Sequence, residues 1–172
     1  MNTDILINWF ESHRGLLTYS MYGSRNGADG TADCSGGVSQ ALKEAGVNIV
    51  GLPSTVTLGS QLANNGFYRI SVNQDWNAQR GDIVLMSWGY DMSQSGGAGG
   101  HVGVMEDSST FISVDYSTGG QAGTAVSSHL WDNYYNTSKP QYIEVWRYNG
   151  ATTSNQQPNT VTSTPTRKPD SK

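Results

Sequence analysis

The spacing of apolar residues changes near the middle of the chain. In "TDILINWFESHRG", residues 3–15, Leu6, Trp9, Phe10 and His13 recur three or four apart. That period predicts an amphipathic helix with Thr3 as its N-cap and Gly15 as its stop. "CSGGVSQALKEAG", residues 34–46, repeats the pattern with Val38, Leu42 and Ala45 and stops at Gly46. "STVTLGSQLANNG", residues 54–66, reads as a third helix, capped by Ser54 or Thr55 and ended by Gly66. Beyond it the period shortens. "FYRISV", "GDIVLMSW", "HVGVMED", "TFISVDYS" and "YIEVWRYN" are short β-branched or aromatic runs with turn residues between them, and they read as strands. Helices first and consecutive strands afterwards predict an α+β domain, an antiparallel sheet with the N-terminal helices packed on it.

The pattern stops at Ala151. "ATTSNQQPNTVTSTPTRKPDSK" contains no aromatic residue, Leu, Ile or Met, and holds three of the five prolines. Such a segment buries too little apolar surface to offset its ordering entropy. Residues 1–150 are therefore expected to form the folded domain, and 151–172 a flexible Thr/Ser/Pro-rich linker toward a further module. With 35% hydrophobic residues, 14% charged residues and 21 glycines, the domain should be rich in turns rather than a helical bundle. A net charge of −4 offers no general attraction to nucleic acid or an anionic membrane, and neither is an expected partner. The first 15 residues place no basic region before an apolar run and are interrupted by Asn8, Glu11, His13 and Arg14. They are expected to be neither a signal peptide nor a membrane span, so the chain should fold in a reducing cytoplasm.

One cysteine stands in the whole chain, in "TADCSGGVSQAL". Cys34 lies between Asp33 and Ser35, with Gly36 and Gly37 next, and so does not belong to an apolar stripe. It falls in the first turn of the second predicted helix, where unpaired N–H groups and the helix dipole favour negative charge. That position is expected to lower the thiol pKa and populate thiolate, the nucleophilic form. The two glycines leave room for a substrate or a second backbone to come close. A thiol nucleophile needs a base. His13 sits among core positions of the first helix. His129, in the loop-like "SSHLWDN", is expected to be solvated or bound to a neighbouring carbonyl. His101 opens a strand directly after the glycine-rich "SGGAGG", facing an open cleft. A nucleophile at a helix N-terminus opposite a histidine at a strand end is a papain-like arrangement. The next strand offers Ser113 and Asp115, two apart and on one face with Phe111, as partners for the imidazole. His13, Cys34, His101 and His129 show no metal-ligand spacing such as C-x-x-C or H-E-x-x-H, and no metal or other cofactor is expected.

The run Asp33-Cys34-Ser35-Gly36, then Gly100-His101-Val102-Gly103-Val104, then a strand with a polar residue, resembles the NlpC-type cysteine peptidases of bacterial cell walls. More closely, "LTYSMYGSRNG…ADCSGGVSQAL", "NQDWNAQRGDIVLM" and "SGGAGGHVGV" are similar to phage endolysin catalytic domains of the Pal-type amidase branch, in the same order over residues 1–148. The resemblance implies a papain-like α+β fold and cysteine-dependent hydrolysis of an amide bond in the stem peptide of bacterial peptidoglycan. N-acetylmuramoyl-L-alanine amidase activity is expected first. The alternative is a γ-D-glutamyl-L-lysine or diaminopimelate endopeptidase on the same fold, and a more distant one is a non-catalytic wall-binding module. Cys34 matches the nucleophile, His101 the general base, and Tyr19 a tyrosine whose hydroxyl lies near the nucleophile. Many relatives carry His where this chain has Ser113, and phage relatives carry Asn where it has Asp115. A carboxylate stabilises imidazolium where a hydroxyl only orients it, so Asp115 is expected as the third catalytic residue, with Ser113 the alternative. Ser113 joins Tyr19, Asp33, Ser35, Trp88 and Gly100 as expected substrate-binding positions, and Tyr90 is a further candidate beside Trp88. The phage resemblance also implies a monomer held in the host cytoplasm, reaching the wall through a holin, with a wall-binding domain beyond the linker.

Overall fold

The structure is a computed structural model and describes residues 1–150; the predicted linker at 151–172 lies outside the described residues. The first helix, α1 (Thr3–Ser12), is capped by Asn2 rather than Thr3, the Asn2 side chain accepting from the Ile5 N–H at 3.1 Å. Leu6, Ile7, Trp9 and Phe10 form its buried face. His13 lies just past the helix end, its Nδ1 2.6 Å from the Trp9 carbonyl. Two short parallel strands follow, β1 (Thr18–Tyr19) and β2 (Thr31–Ala32), and their pairing sets Tyr19 beside the entrance to the second helix. That helix, α2 (Cys34–Glu44), is capped by Asp33, whose carboxylate accepts from the Gly36 N–H at 2.8 Å. The third helix, α3 (Thr55–Ala63), takes Ser54 as its cap, which settles the choice between Ser54 and Thr55.

Six strands then build one antiparallel sheet: β3 (Phe67–Val72), β4 (Ile83–Ser87), β5 (Gly100–Met105), β6 (Thr110–Val114), β7 (Val126–Leu130) and β8 (Tyr142–Tyr148). Their spatial order is β3-β8-β4-β5-β6-β7, and α4 (Trp131–Ser138) connects β7 to β8. Strand β7 and helix α4 correct the loop expected at "SSHLWDN". The strand reads Val-Ser-Ser-His-Leu with only Val126 fully buried, so no apolar alternation announces it; pairing with β6 makes it a strand. Helix α4 buries only Trp131 and Tyr135, too few apolar positions to reveal a helical period.

Alternation along the strands divides the core in two. Ile83, Leu85, Val102, Val104, Ile112 and Val114 face the three N-terminal helices and pack with Leu6, Phe10, Val38, Leu42, Leu58 and Leu62. Val84, Met86, Met105, Phe111 and Val145 point the other way, against Trp76, Trp131 and Tyr135. Strand β4 is covered on both faces, which is why "IVLMS" is nearly continuous in apolar residues. The run "DWNAQRGDI" proves to be a structural clamp. Asp82, 1% exposed, receives the Arg147 guanidinium on both oxygens at 2.8 and 2.9 Å and the Trp76 indole N–H at 3.0 Å. The same alternation decides the site. Val102 belongs to the helix-facing layer and His101 to the opposite one, where its ring meets Phe111, so the start of β5 carries α2 on one side and the imidazole on the other.

Candidate active site

Cys34 is the first residue of α2 and is 7% exposed. Its Sγ accepts from the backbone N–H groups of Ser35 and Val102, which places the thiol against the residue next to His101. The space that the glycines leave is taken by a second backbone. A Cβ on Gly36 would stand 2.1 Å from the Arg25 carbonyl oxygen, so no side chain fits there. Arg25 itself holds a left-handed φ of 68°. Its guanidinium donates to Asp33 Oδ2, Ser35 Oγ and the Leu52 carbonyl, each at 2.8 Å. Asp33 and Ser35, expected at the substrate, are buried supports that fasten the start of α2 to this arginine. Arg25 escaped the sequence reading because an arginine in a Gly/Ser/Asn-rich loop looks like an ordinary solvated charge.

The electrostatics of the thiol also depart from expectation. Burial pushes the Cys34 thiol up to about 12, and the neighbouring Asp33 carboxylate adds to the rise. The two backbone N–H donors and Arg25 oppose this and lose. Burial likewise drives His101 down to about 4, although the Asp115 charge works in the other direction. Desolvation therefore outweighs the helix terminus and favours the neutral thiol and the neutral imidazole.

The His101 ring is held by a chain of side chains. His101 Nε2 lies 3.0 Å from Ser113 Oγ, and Ser113 Oγ lies 3.4 Å from Asp115 Oδ2. The expected direct contact between Asp115 and the imidazole is thus replaced by one through Ser113. Asp115 also accepts from Ser127 Oγ at 2.6 Å, from the Ser117 N–H and hydroxyl at 3.1 and 2.7 Å, and faces His129 Nε2 at 3.1 Å. Burial alone would raise its pKa, but these donors outweigh it and hold the carboxyl well below the usual range. An ionised carboxylate only accepts, so the Ser113 hydroxyl donates to it and leaves its own oxygen free to accept from the ring. That selects the Nε2–H tautomer of His101 and leaves Nδ1 with its lone pair. His129 is the other correction: it stands on β7 opposite Phe111, bound to a carboxylate rather than solvated.

Beside these groups opens a cleft of about 800 Å³, lined by Tyr19, Tyr22, Trp88, Gly100, His101, Asp115, Tyr116 and Tyr134 among others. Tyr19 packs edge-on against Tyr116 at 5.6 Å, and burial with the nearby Cys34, Asp33 and Asp115 raises its pKa, so its hydroxyl remains a donor. Trp88 is fixed by its indole N–H on the Ser138 carbonyl at 2.7 Å, whereas Tyr90 is 77% exposed and outside the lining. Gly100 lines the cleft and is also tightly packed, since a Cβ there would meet Ser95 Cβ at 2.4 Å. Tyr22, Tyr116 and Tyr134 were not singled out from sequence, where nine tyrosines spread along the chain carry no spacing signal. Among the described residues no group of three or more His, Cys, Asp and Glu side chains is placed to hold a metal ion, and no helix is long and apolar enough to cross a membrane.

A thiol on a helix N-terminus set against an antiparallel sheet, with the histidine on the next layer, is the plan of the papain-like NlpC/p60 fold. Solved structures agree. The NlpC/p60 domain of the peptidoglycan hydrolase SagA matches with a TM-score of 0.51 at 18% identity, over 83% of this chain and 97% of that one. NlpC2 from Trichomonas vaginalis matches with a TM-score of 0.54 at 19% identity, over 86% of this chain and 46% of that one. Sequence carries the relationship further: the chain belongs to the bacteriophage peptidoglycan hydrolase family, whose model matches residues 2–156. It is 35% identical over 146 residues to the lysin of Pneumococcus phage Dp-1, covering 84% of this chain. The chain spans about half of that relative, 46% of its length.

Proposed function

We propose that this chain cleaves the N-acetylmuramoyl-L-alanine amide of bacterial peptidoglycan by thiol catalysis, with Cys34 as nucleophile and His101 as general base. The observation that supports this reading is the Ser113–Asp115 relay at His101 Nε2, which leaves Nδ1 with its lone pair free to take a proton. Both groups rest neutral, so the Cys34 proton passes to Nδ1 as Sγ attacks the amide carbonyl carbon. The carbonyl π pair moves to oxygen, and the Cys34 backbone N–H at the start of α2 is a donor for the oxyanion. Collapse expels the amine, which takes the proton from His101, and leaves a thioester. Water, losing a proton to the same nitrogen, then releases the acid and restores the thiol. Ser113 and Asp115 stabilise the imidazolium that forms between these steps. The Tyr19 hydroxyl and the rings of Trp88, Tyr22 and Tyr116 supply a surface for the sugar and stem peptide.

On this reading the enzyme works as a monomeric catalytic domain over residues 1–150, tethered by residues 151–172, and reaches the wall from the host cytoplasm through a holin. The test is mass spectrometry with end-group analysis of fragments released from purified wall. A new N-terminal L-alanine is the expected product. A free α-amine on lysine or diaminopimelate would instead assign the γ-D-glutamyl bond, and an absence of any released fragment would overturn hydrolysis of this polymer.

A further inference from the structure

We propose that His129 is a positioning residue for the catalytic imidazole, acting through Asp115 and Ser113. The inference rests on the thiol–imidazole reaction proposed above. His129 Nε2 lies 3.1 Å from Asp115 Oδ2, the same oxygen that the Ser113 hydroxyl reaches at 3.4 Å. Because that carboxylate is ionised and only accepts, Nε2 of His129 carries a hydrogen whatever the charge of its ring. Ser127 Oγ, 3.1 Å from Nε2 and 2.6 Å from Oδ2, closes the arrangement into a triangle. The longest bond to Oδ2 is the one that matters for tautomer selection, and it depends on where the other two donors hold that oxygen.

A second contact ties the two histidines together. The Tyr134 ring lies 5.2 Å from the His129 ring and 6.1 Å from the His101 ring, so one tyrosine packs against both imidazoles. Strand register sets this up. Pairing of β6 with β7 puts Ser113 opposite Ser127 and Phe111 opposite His129, so the relay crosses from β5 to β7 without leaving one face of the sheet. His129 is not itself a lining residue of the cleft; it stands behind Asp115 and Tyr134, which are. Its effect on the reaction therefore runs through the Asp115 carboxylate and the Tyr134 ring, and a side chain that merely fills an edge strand would not share it.

The single cysteine supplies a readout that needs no substrate: the rate of Cys34 alkylation by iodoacetamide at pH 8. In the His129→Leu variant, alkylation and kcat are expected to fall roughly ten-fold or more, with KM on wall fragments within about two-fold. ¹⁵N NMR of the His101 ring should show loss of the pure Nε2–H tautomer. His129→Gln should recover most of both rates, because its amide N–H can donate to the same oxygen. A folded His129→Leu protein with wild-type alkylation, kcat and His101 tautomer would overturn the proposal, and so would a glutamine variant as impaired as the leucine one. If the leucine variant does not fold, Ser127→Ala removes the neighbouring donor and must show the same loss in kcat and alkylation; unchanged rates there also overturn it. Alkylation that depends on His129 in a protein releasing nothing from any wall would leave the relay standing and remove the peptidoglycan reading.

Discussion

Cys34 and His101 both meet the start of β5, the thiol through the Val102 N–H and the imidazole as a residue of the strand, yet they are held there by different kinds of structure. On the cysteine side most of the parts lie within residues 25–37, joined by the Val102 N–H and the Leu52 carbonyl, and many are backbone: the Arg25 carbonyl against Gly36, the Asp33 cap, and the N–H groups at the helix start. On the histidine side the parts are hydroxyls, a carboxylate and a second imidazole drawn from positions 101, 113, 115, 127 and 129. A backbone cradle leaves a nucleophile little freedom to move. A side-chain relay can pass on a change in charge, which suits the group that gains and loses a proton. The two sides should therefore fail differently when altered.

The largest effect is expected at the thiol. Cys34→Ala should reduce lysis of wall suspensions by roughly 10⁴-fold or more while far-UV circular dichroism stays unchanged. Chelators should leave the wild type active; loss with EDTA restored by zinc would contradict the cysteine mechanism.

Breaking the cradle should cost fold rather than chemistry. Gly36→Ala forces a Cβ into the Arg25 carbonyl at 2.1 Å, and because that atom is backbone it cannot step aside cheaply. A loss of about 3 kcal/mol or more in urea unfolding is expected. An alanine variant as stable as wild type would show that the cradle is looser than it looks.

Breaking the relay should cost chemistry rather than fold. Ser113→Ala and Asp115→Asn should each lower kcat by roughly 100-fold, and the double variant should be no worse than either single one. That non-additivity follows from Asp115 acting through Ser113. Fully additive losses would mean that the carboxylate reaches the imidazole by some other route.

The smallest effect is a pH dependence of stability that arises on the histidine side. His101 is held at about 4 in the folded protein, below its ordinary 6.5, because burial disfavours the cation. The unfolded chain therefore binds a proton first, and stability is present above about pH 6.5 and lost as pH falls toward 4. The loss should appear as a fall in melting temperature between pH 6.5 and 4, and His101→Gln should flatten it. Asp115, whose pKa is lowered on folding, adds a loss of the same sign at still lower pH. A wild-type melting temperature that stays flat from pH 7 to 4 would show that the imidazole is less buried than its surroundings indicate.

Much of the scaffold was readable residue by residue. The glycine stops at Gly46 and Gly66, the cap before Val56 and the five apolar runs that became strands are all local signals, each contained within about a dozen neighbours. Cys34 and His101 stood out for the same reason: one sits at the start of a helical period, the other at the start of a strand behind glycines. Strand β7 could not be read in that way. Its inward positions are Ser127 and His129, and a polar residue facing a polar network leaves no hydrophobic imprint.

The sequence by itself determined most of the helices and strands and the α+β class, and it singled out Cys34 at a helix start and His101 at a strand start. These follow from spacing and capping, which act over a turn or a strand and need no knowledge of what lies across the molecule. Tertiary structure decided that Arg25 is tied to Asp33 and Ser35 beside the cysteine, that Asp115 reaches His101 by way of Ser113, that His129 meets the same carboxylate oxygen, and that burial disfavours the charged thiol and imidazole. Contacts between polar side chains far apart in the chain carry no period. Desolvation belongs to the assembled surroundings of a group, so the local signal at the helix start pointed to a thiolate and the folded site reversed it.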